Sequence, residues 1–226
     1  MARLTFTAAE RARVTEAVAA AERDTNGEIV TIVTGRSDAY HDVALHYAVA
    51  AMLLLAGVAA VWPWILEAKL DWLHGGWTSA VDLRELLLLV LVGQALVFLI
   101  IRFVLAWNPL RMLVTPGATK GRRVRRRALQ YFRSSAEKRT MGRVGILLYL
   151  SLAERRAEIV ADEAIHGLVP QERWGDAMAA LVAKVRTGDA AGGMADAVGE
   201  IATILAEHFP KTEADMNELP DRLIEL

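Results

Sequence analysis

The chain has 226 residues, of which 26 are Lys or Arg, 27 are Asp or Glu and none is Cys. The lack of cysteine excludes a disulfide framework, a thiolate nucleophile and a thiolate metal site. The formal net charge of -1 conceals a basic middle and acidic flanks, so whole-chain charge alone excludes no class of partner.

The N-terminal segment predicts one helix followed by one strand. Thr7 and Glu10 have the spacing of a capping box, in which each side chain satisfies a free backbone donor at a helix start. Asn26 and Gly27 tolerate a positive φ and are predicted to end the helix. Residues 28–34 are rich in β-branched side chains and are predicted to form a strand.

Two long apolar runs follow, at residues 43–66 and 86–107. At about 1.5 Å per residue, each can cross a hydrocarbon core of about 30 Å. The first run contains no Asp, Glu, Lys or Arg, and the second contains only Arg102, near its end. A pair of buried helices in a soluble core is the alternative, but such helices usually carry a polar stripe, and neither run does. The runs therefore predict transmembrane helices at residues 43–66 and 85–107, joined by a connector at residues 67–84.

Basic residues are unevenly distributed around these runs. The connector is balanced, because Lys69 and Arg84 are offset by acidic side chains. The stretch after the second run carries a long series of basic residues: Arg111, Lys120, Arg122, Arg123, Arg125, Arg126, Arg127, Arg133, Lys138 and Arg139. Since basic residues near span ends stay on the cytoplasmic side, the pattern predicts a multi-pass inner-membrane protein with both termini in the cytoplasm and the connector outside.

The sequence beyond residue 108 predicts a helix, a hairpin of two strands and two final helices. The basic helix covers about residues 120–139 and has an apolar stripe. The other elements are strands at residues 144–151 and 157–162, a helix that runs to about residue 186 and a helix at about residues 190–208. The acidic tail at residues 211–226 is predicted to be loosely ordered.

The predicted order of elements is helix, strand, interrupted helix, strand, strand, helix, helix. A crossover connection makes the first two strands parallel, so this order predicts an α/β sandwich. Because the membrane hairpin lies inside the crossover, residues 1–42 and 108–210 are predicted to form one domain.

Three segments carry a family resemblance. They are residues 26–33 (NGEIVTIV), 142–162 (GRVGILLYLSLAERRAEIVAD) and 205–210 (LAEHFP). In them the chain resembles the TPM domain family, and most of all a bacterial membrane-protein branch in which a helical hairpin splits the domain. The resemblance implies a three-layer α/β/α fold. For some members it also implies acid phosphatase activity or divalent metal binding, and for others roles in photosystem repair or as receptor accessories, so fold transfers better than function.

Three acidic residues are candidate metal ligands. Glu28 opens the first strand, and Asp162 and Glu163 follow the third. Since the strand hairpin reverses direction, the end of the third strand is expected near the start of the first, where the three carboxylates converge. Oxygen clusters of this kind suit calcium or magnesium. The favoured interpretation is that these residues are helix caps or surface charges at strand ends and that the protein uses no cofactor. A calcium or magnesium site is the alternative.

A second group of polar residues is expected at the opposite end of the parallel strands. Arg36, Ser37 and Asp38 follow the first strand, and Ser151 ends its neighbour. Open α/β sheets place ligands at this end, and such a group suits a phosphate. No histidine is clearly placed as a general base; His41, on the helix that leads into the first apolar run, is one candidate.

The basic segment predicts contact with anionic lipid, at about 1 kcal/mol for each juxtamembrane arginine, rather than with nucleic acid.

Taken with the apolar runs and the family resemblance, these observations lead to the hypothesis of an integral inner-membrane protein with a cytoplasmic TPM-like domain. This domain would serve as a non-enzymatic binding or accessory module for an unknown membrane or envelope protein. The alternative is a membrane-tethered, metal-assisted hydrolase of the phosphatase type.

Overall fold

The computed structural model describes residues 5–76, 82–135, 144–212 and 221–226, so part of the predicted basic helix (136–139) and of the predicted tail (213–220) lies outside the described residues. The chain divides into two compact units: an α/β unit, Met1–Asp38 with Pro116–Leu226, and a hairpin unit, Ala39–Thr115. The elements in chain order are α1 (Ala8–Ala21), β1 (Glu28–Thr34), α2 (His41–Val61), α3 (Pro63–Leu73), α4 (Leu83–Val104), α5 (Asn108–Val114), α6 (Gly117–Ser135), β2 (Gly145–Ser151), β3 (Arg156–Ala161), α7 (Glu163–His166), α8 (Gln171–Thr187), α9 (Ala190–His208) and β4 (Ile224–Glu225).

A sheet in the order β3-β2-β1-β4 forms the centre of the α/β unit. β1 and β2 are parallel, with Glu28 opposite Gly145 at one end and Thr34 opposite Ser151 at the other. β3 returns antiparallel to β2. The predicted parallel pair and the predicted strand hairpin are both confirmed.

Helices cover both faces of the sheet. On one face Ile29, Val33 and Ile146 are buried in a core that includes residues of α1, α8 and α9. On the other face Val30 and Leu147 are buried in a second core that includes residues of α6. The contributing residues of α6 are Val124, Ala128 and Phe132. Because side chains alternate along a strand, neighbouring residues enter opposite cores. The predicted three-layer α/β/α sandwich is confirmed.

The capping box at the start of α1 is confirmed, but the prediction that Gly27 ends this helix with a positive φ is wrong. Thr7 Oγ1 accepts a hydrogen bond from the Glu10 amide at 3.1 Å, and Glu10 Oε2 accepts one from the Thr7 amide at 2.6 Å. α1 ends at Ala21, and Gly27 does not have a positive φ. A Cβ at Gly27 would lie 2.7 Å from Leu205 Cδ1, so glycine here permits the close approach of α9.

In the hairpin unit, α2 packs against α4 and both contact α3. The helix of the first predicted span is shorter than expected, because α2 ends at Val61 and Pro63 begins α3. Proline lacks an amide hydrogen and clashes with a preceding helical turn, so it starts a helix more readily than it continues one. The connector predicted from residue 67 is therefore helical as far as Leu73.

Arg111 joins the two ends of the hairpin unit. The residue is buried, and its guanidinium donates to the carbonyl oxygens of Ala39 at 2.7 Å and Ala106 at 2.8 Å. It also donates to Asn108 Oδ1 at 3.0 Å and lies 3.0 Å from His41 Nδ1. The planar fork of arginine suits several acceptors at once, so one side chain connects the start of α2 to the end of α4. Sequence reasoning treated Arg111 only as a topology signal.

Residues 221–226 contradict the prediction of a loosely ordered tail. β4 pairs in parallel with β1 at the edge of the sheet. The Leu226 amide donates to the Val33 carbonyl at 3.0 Å, and Glu225 Oε1 accepts a hydrogen bond from the Phe6 amide at 3.1 Å. Hydrogen bonds to the sheet edge offset the entropy lost on ordering these residues.

Candidate functional site

A closed polar network lies at the carboxyl ends of β1 and β2. The Ser37 amide donates to Glu154 Oε1 at 3.0 Å, and the hydroxyl oxygens of Ser37 and Tyr149 lie 3.0 Å apart. Ser151 Oγ donates to the other carboxylate oxygen of Glu154. All four residues are buried. The structure therefore joins Ser37 to Ser151 through Glu154, and sequence reasoning missed both Glu154 and Tyr149.

The turn between β2 and β3, residues 152–155, positions Glu154. The Ala153 amide donates to the Gly35 carbonyl at 3.0 Å and extends the pairing of β2 with the segment that follows β1. Arg155 then adopts a φ of 49°, in the left-handed region that most residues avoid. The turn places the Glu154 carboxylate within hydrogen-bond distance of Ser37 and Ser151.

Tyr149 remains a neutral hydroxyl group at physiological pH. Burial raises its pKa to about 12, although the hydrogen bond with Ser37 acts in the opposite direction. Because Ser37 and Ser151 are both bonded inside the network, the arrangement suits a structural connection between the two strands and the turn. It does not present an open surface to a phosphate.

The other residues of the predicted phosphate group have different partners. Asp38 lies 2.9 Å from Arg123 and 3.3 Å from Arg126, both on α6. His41, the candidate base, contacts Arg111 within the hairpin unit. The aspartate therefore anchors the basic helix to the segment after β1.

At the opposite end of the strands, Glu28 and Asp162 lie on either side of Gly145. Glu28 is opposite Gly145 in the sheet register, and Asp162 Oδ2 accepts a hydrogen bond from the Gly145 amide at 2.9 Å. Both carboxylates belong to buried residues. Glu163 is exposed in the first turn of α7. The structure thus brings two of the three predicted residues to one end of the sheet and leaves the third on the surface.

Few of the oxygen ligands that a calcium or magnesium ion needs are found around these three residues. Such ions take about six or more oxygen ligands, whereas the Asp162 carboxylate accepts a hydrogen bond from a backbone amide. Within residues 5–76, 82–135, 144–212 and 221–226, no group of three or more His, Cys, Asp or Glu side chains is arranged to hold a metal ion. The assignment of Glu28, Asp162 and Glu163 as metal ligands stays a prediction.

Two further carboxylates, Glu22 and Asp221, lie beside Glu28. Burial raises the pKa of Glu22 to about 8; the Ile29 amide, 2.8 Å from Glu22 Oε1, opposes this effect, and the charges of Glu28 and Asp221 add to it. The three carboxylates and Lys211 line a recess of about 150 Å³. Sequence reasoning missed this group because Asp221 lies far along the chain, in the segment predicted to be loosely ordered.

A groove of about 270 Å³ lies beside β3, which is an edge strand of the sheet. It is lined by residues 158–161 of β3, by Arg125 and Leu129 of α6 and by Trp174 of α8. Arg125 and Glu158 form an ion pair at 3.9 Å, and burial raises the pKa of Glu158 against the effect of the neighbouring arginines. The groove therefore combines apolar surface, a paired charge and the edge of a sheet.

Together these features define a class of protein, a three-layer α/β/α domain with a helical hairpin inserted between its first two parallel strands. Residues 108–204 match the family model described as the TPM domain. This match confirms, over that part of the chain, the resemblance seen in the sequence.

One solved structure is similar over nearly the whole chain. It is the NMR structure of the BA42 protein from the psychrophilic bacterium Bizionia argentinensis sp. nov., with a TM-score of 0.55 and 17% sequence identity. The alignment covers 98% of this chain and 95% of that chain. At this identity the likeness shows the fold alone. No curated protein matches the chain.

Proposed function

We propose that this protein is an integral inner-membrane protein whose TPM domain lies in the cytoplasm and acts as a non-enzymatic binding or accessory module. The observation that supports membrane integration is the exposure of α2 and α4. The structure describes both helices completely; in α4 no residue is buried, and in α2 only Val43, Ala44 and Ala48 are buried. Apolar helices of this length in a soluble core would be largely buried.

The exposed side chains of these helices are large and apolar. Leu53 and Leu54 of α2 are 68% and 69% exposed, and Phe103 of α4 is 82% exposed. Contact with water costs about 25 cal/mol for each Å² of such surface, whereas contact with lipid tails does not. Two such helices, packed on each other, suit a hairpin that crosses the bilayer twice.

The basic helix α6 supports the cytoplasmic orientation. Its apolar stripe packs in the core under the sheet, whereas Arg122, Arg126 and Arg133 are exposed. Arg111 and Arg122 follow the end of α4 within about 20 residues, the range in which basic residues favour the cytoplasmic side. Exposed arginines near a bilayer attract anionic lipid by about 1 kcal/mol each, so lipid is the expected partner of this segment and nucleic acid is not.

Reporter fusions test this topology. A reporter that works only in the cytoplasm should be active at either end of the chain, and one that works only outside should be active after Gly76, in the connector. A cytoplasmic signal from the connector would contradict the hairpin. Release of the full chain from membranes by alkaline carbonate would contradict membrane integration itself.

The groove beside β3 supports a binding role for the domain. An edge strand presents backbone donors and acceptors that an extended peptide can pair with, and the flanking helices supply apolar contacts. We assign this groove to an extended segment of a membrane or envelope protein. The Arg125–Glu158 ion pair is consistent with this role, because the two opposite charges offset each other in the groove and favour an uncharged, extended segment.

Photo-cross-linking tests the assignment. A photoreactive residue in place of Ile159, in the groove, should capture a partner in intact membranes. The matched control is the same residue in place of Glu200, which is exposed on α9. Capture of the same proteins at both positions, or of none at Ile159, would show that the groove is not the contact surface.

A membrane-tethered, metal-assisted hydrolase with calcium or magnesium as cofactor is the alternative. Melting of the full chain in detergent with each ion at millimolar concentration separates the two proposals. We expect no shift in Tm, because among the described residues no group of three or more His, Cys, Asp or Glu side chains is arranged to hold an ion. A rise in Tm that Asp162→Ala removes and the exposed control Glu200→Ala retains would favour the hydrolase.

A further inference from the structure

The short helix α3, Pro63–Leu73, is defined at both ends. Trp62 interrupts the helical path after α2 with φ −124° and ψ 65°, and Pro63 occupies the first turn of the new helix. At the other end Gly75 and Gly76 both have positive φ, and the Gly76 amide donates to the Asp71 carbonyl at 2.8 Å. Such a glycine cap ends a helix abruptly. α3 is therefore a separate element at the end of the hairpin unit that carries the connector.

The side chains of α3 fall on three sides, because successive residues are about 100° apart around a helix. The first side includes Leu70, which is buried within the hairpin unit. The second is acidic and exposed and consists of Glu67 and Asp71. The third contains Trp64, Ala68 and Trp72, which share one face at spacings of four residues; all three are exposed.

The third side is aromatic and strongly exposed. Trp64 is 63% exposed and Trp72 is 71% exposed. Lys69 Nζ lies 4.5 Å from the ring centroid of Trp72, at the margin of this side. Indole rings with an adjacent lysine are typical of the membrane–water interface, where the ring meets lipid and the polar atoms stay hydrated. The acidic side borders the aromatic side, because Asp71 follows Trp64 by seven residues and so lies about 20° from it around the helix. The acidic side chains suit the water layer next to an aromatic side that enters the headgroup region.

We propose that α3 is an interfacial helix that lies on the outer surface of the bilayer, with Trp64, Ala68 and Trp72 in the lipid headgroup region and Glu67 and Asp71 in water. The inference rests on the proposed membrane integration and, for the side of the bilayer, on the proposed orientation that the reporter fusions test. We assign lipid to the aromatic side because α3 follows directly after α2, whose apolar side chains are exposed and are proposed to contact lipid. The helix would fix the depth of the hairpin in the outer leaflet.

The absence of cysteine makes spin labelling a direct test. Single cysteines are introduced in the full chain by Ala68→Cys, Trp64→Cys and Trp72→Cys on the aromatic side and by Glu67→Cys and Asp71→Cys on the acidic side. Each variant is labelled and reconstituted in vesicles of neutral and anionic phospholipid. Collisions with oxygen report exposure to lipid, and collisions with a water-soluble nickel complex report exposure to water. The ratio of oxygen to nickel accessibility should be higher at residues 64, 68 and 72 than at residues 67 and 71.

Two results would overturn the proposal. Equal nickel accessibility at all five positions would show a hydrated helix, and exclusion of both reagents from the aromatic side would show contact with protein. Ala68→Cys and Glu67→Cys carry the decision, because neither removes an aromatic anchor.

A sixth label, at Leu54→Cys in α2, separates this proposal from the one on which it depends. Leu54 is 69% exposed and should report lipid if the hairpin spans the bilayer. A water signal at Leu54 would mean that membrane integration fails. A lipid signal at Leu54 with a water signal at Ala68 would mean that only the interfacial helix fails.

Discussion

The two units of this protein place leucine in opposite surroundings. In the α/β unit Leu147 and Leu148 are fully buried, whereas in the hairpin unit Leu53 and Leu54 are more than two-thirds exposed. Both pairs lie inside regular elements with other apolar residues around them in the sequence. Residue type therefore does not explain the difference.

The proposed membrane integration accounts for the difference by what surrounds each element. A central strand covered by helices on both faces is apolar on both faces, and a helix surrounded by hydrocarbon is apolar all round. A continuous apolar run is common to the two cases, and its length separates them. β2 has 7 residues and α4 has 22, which matches a strand in one case and a membrane span in the other.

The largest expected change in the free energy of unfolding comes from truncating a buried leucine, and the same truncation of an exposed leucine is its control. Leu148→Ala should lower the free energy of unfolding by about 2–5 kcal/mol, because it leaves a cavity in the core of the α/β unit. Leu54→Ala should lower it by less than about 1 kcal/mol, because its side chain packs on no protein core. Denaturant unfolding of the full chain in detergent, followed by circular dichroism, measures both. Equal losses would show that Leu54 is packed.

Much of the α/β unit could be predicted because its signals are local. The capping box at Thr7, the β-branched run of β1 and the hairpin of β2 and β3 each occupy a few neighbouring residues. β4 could not be predicted, because Ile224 and Glu225 have no periodic pattern and become a strand only where the edge of β1 offers hydrogen bonds. The end of α2 at Val61 was missed although Pro63 marks it, since the apolar run continues to Leu66.

The polar network was predictable in part. Adjacent parallel strands end side by side, so the proximity of Ser37 and Ser151 follows from topology. The role of Glu154 depends on a turn in which Arg155 is left-handed, and no glycine or asparagine signals that conformation. Tyr149 is an ordinary strand residue until α6 covers it. Contacts of this kind arise from tertiary packing, to which a single sequence gives no direct access.

The next largest effect concerns the carboxyl group of Glu154, which is buried in the α/β unit. Glu154→Ala should cost about 2–3 kcal/mol of stability, because the buried Ser37 amide and Ser151 hydroxyl lose their acceptor. Glu200→Ala, at an exposed position, should cost less than about 0.5 kcal/mol. Thermal unfolding of both variants measures the difference. A small loss for Glu154→Ala would show that water replaces the carboxylate.

A smaller effect comes from two buried threonines. Thr31 Oγ1 is buried in the core without a hydrogen-bond partner among the described residues, whereas Thr25 Oγ1 donates to the Phe209 carbonyl at 2.7 Å and accepts from the Gly27 amide at 3.0 Å. Valine has nearly the shape of threonine but lacks the hydroxyl. Thr31→Val should therefore raise stability by about 1 kcal/mol, and Thr25→Val should lower it by about 1–2 kcal/mol. Denaturation midpoints that move in the same direction would contradict this assignment.

The smallest effect is the response of the α/β unit to pH through Glu22. Its pKa in the folded protein is about 8, above the ordinary value of 4.5, because burial disfavours the charged form. Well below pH 4.5 the carboxyl group is protonated in both the folded and the unfolded state, so its ionisation does not affect stability. As the pH rises from 4.5 towards 8, the unfolded chain releases the proton and the folded chain retains it, so stability falls.

Glu22→Gln should remove this dependence, since glutamine keeps the shape of the protonated carboxyl group and does not titrate. The variant should match the original chain near the acidic end of the range and be more stable near pH 8, by an amount of the order of 1 kcal/mol, because Glu22 is only part-buried and solvent screens its charge. Glu16→Gln, at an exposed position of α1, controls for the loss of one carboxylate. Melting temperatures of the original chain and of both variants, measured between pH 4.5 and 8, test this prediction. If the stability of the original chain does not fall as the pH rises, then Glu22 is hydrated and the recess beside Glu28 is open to water.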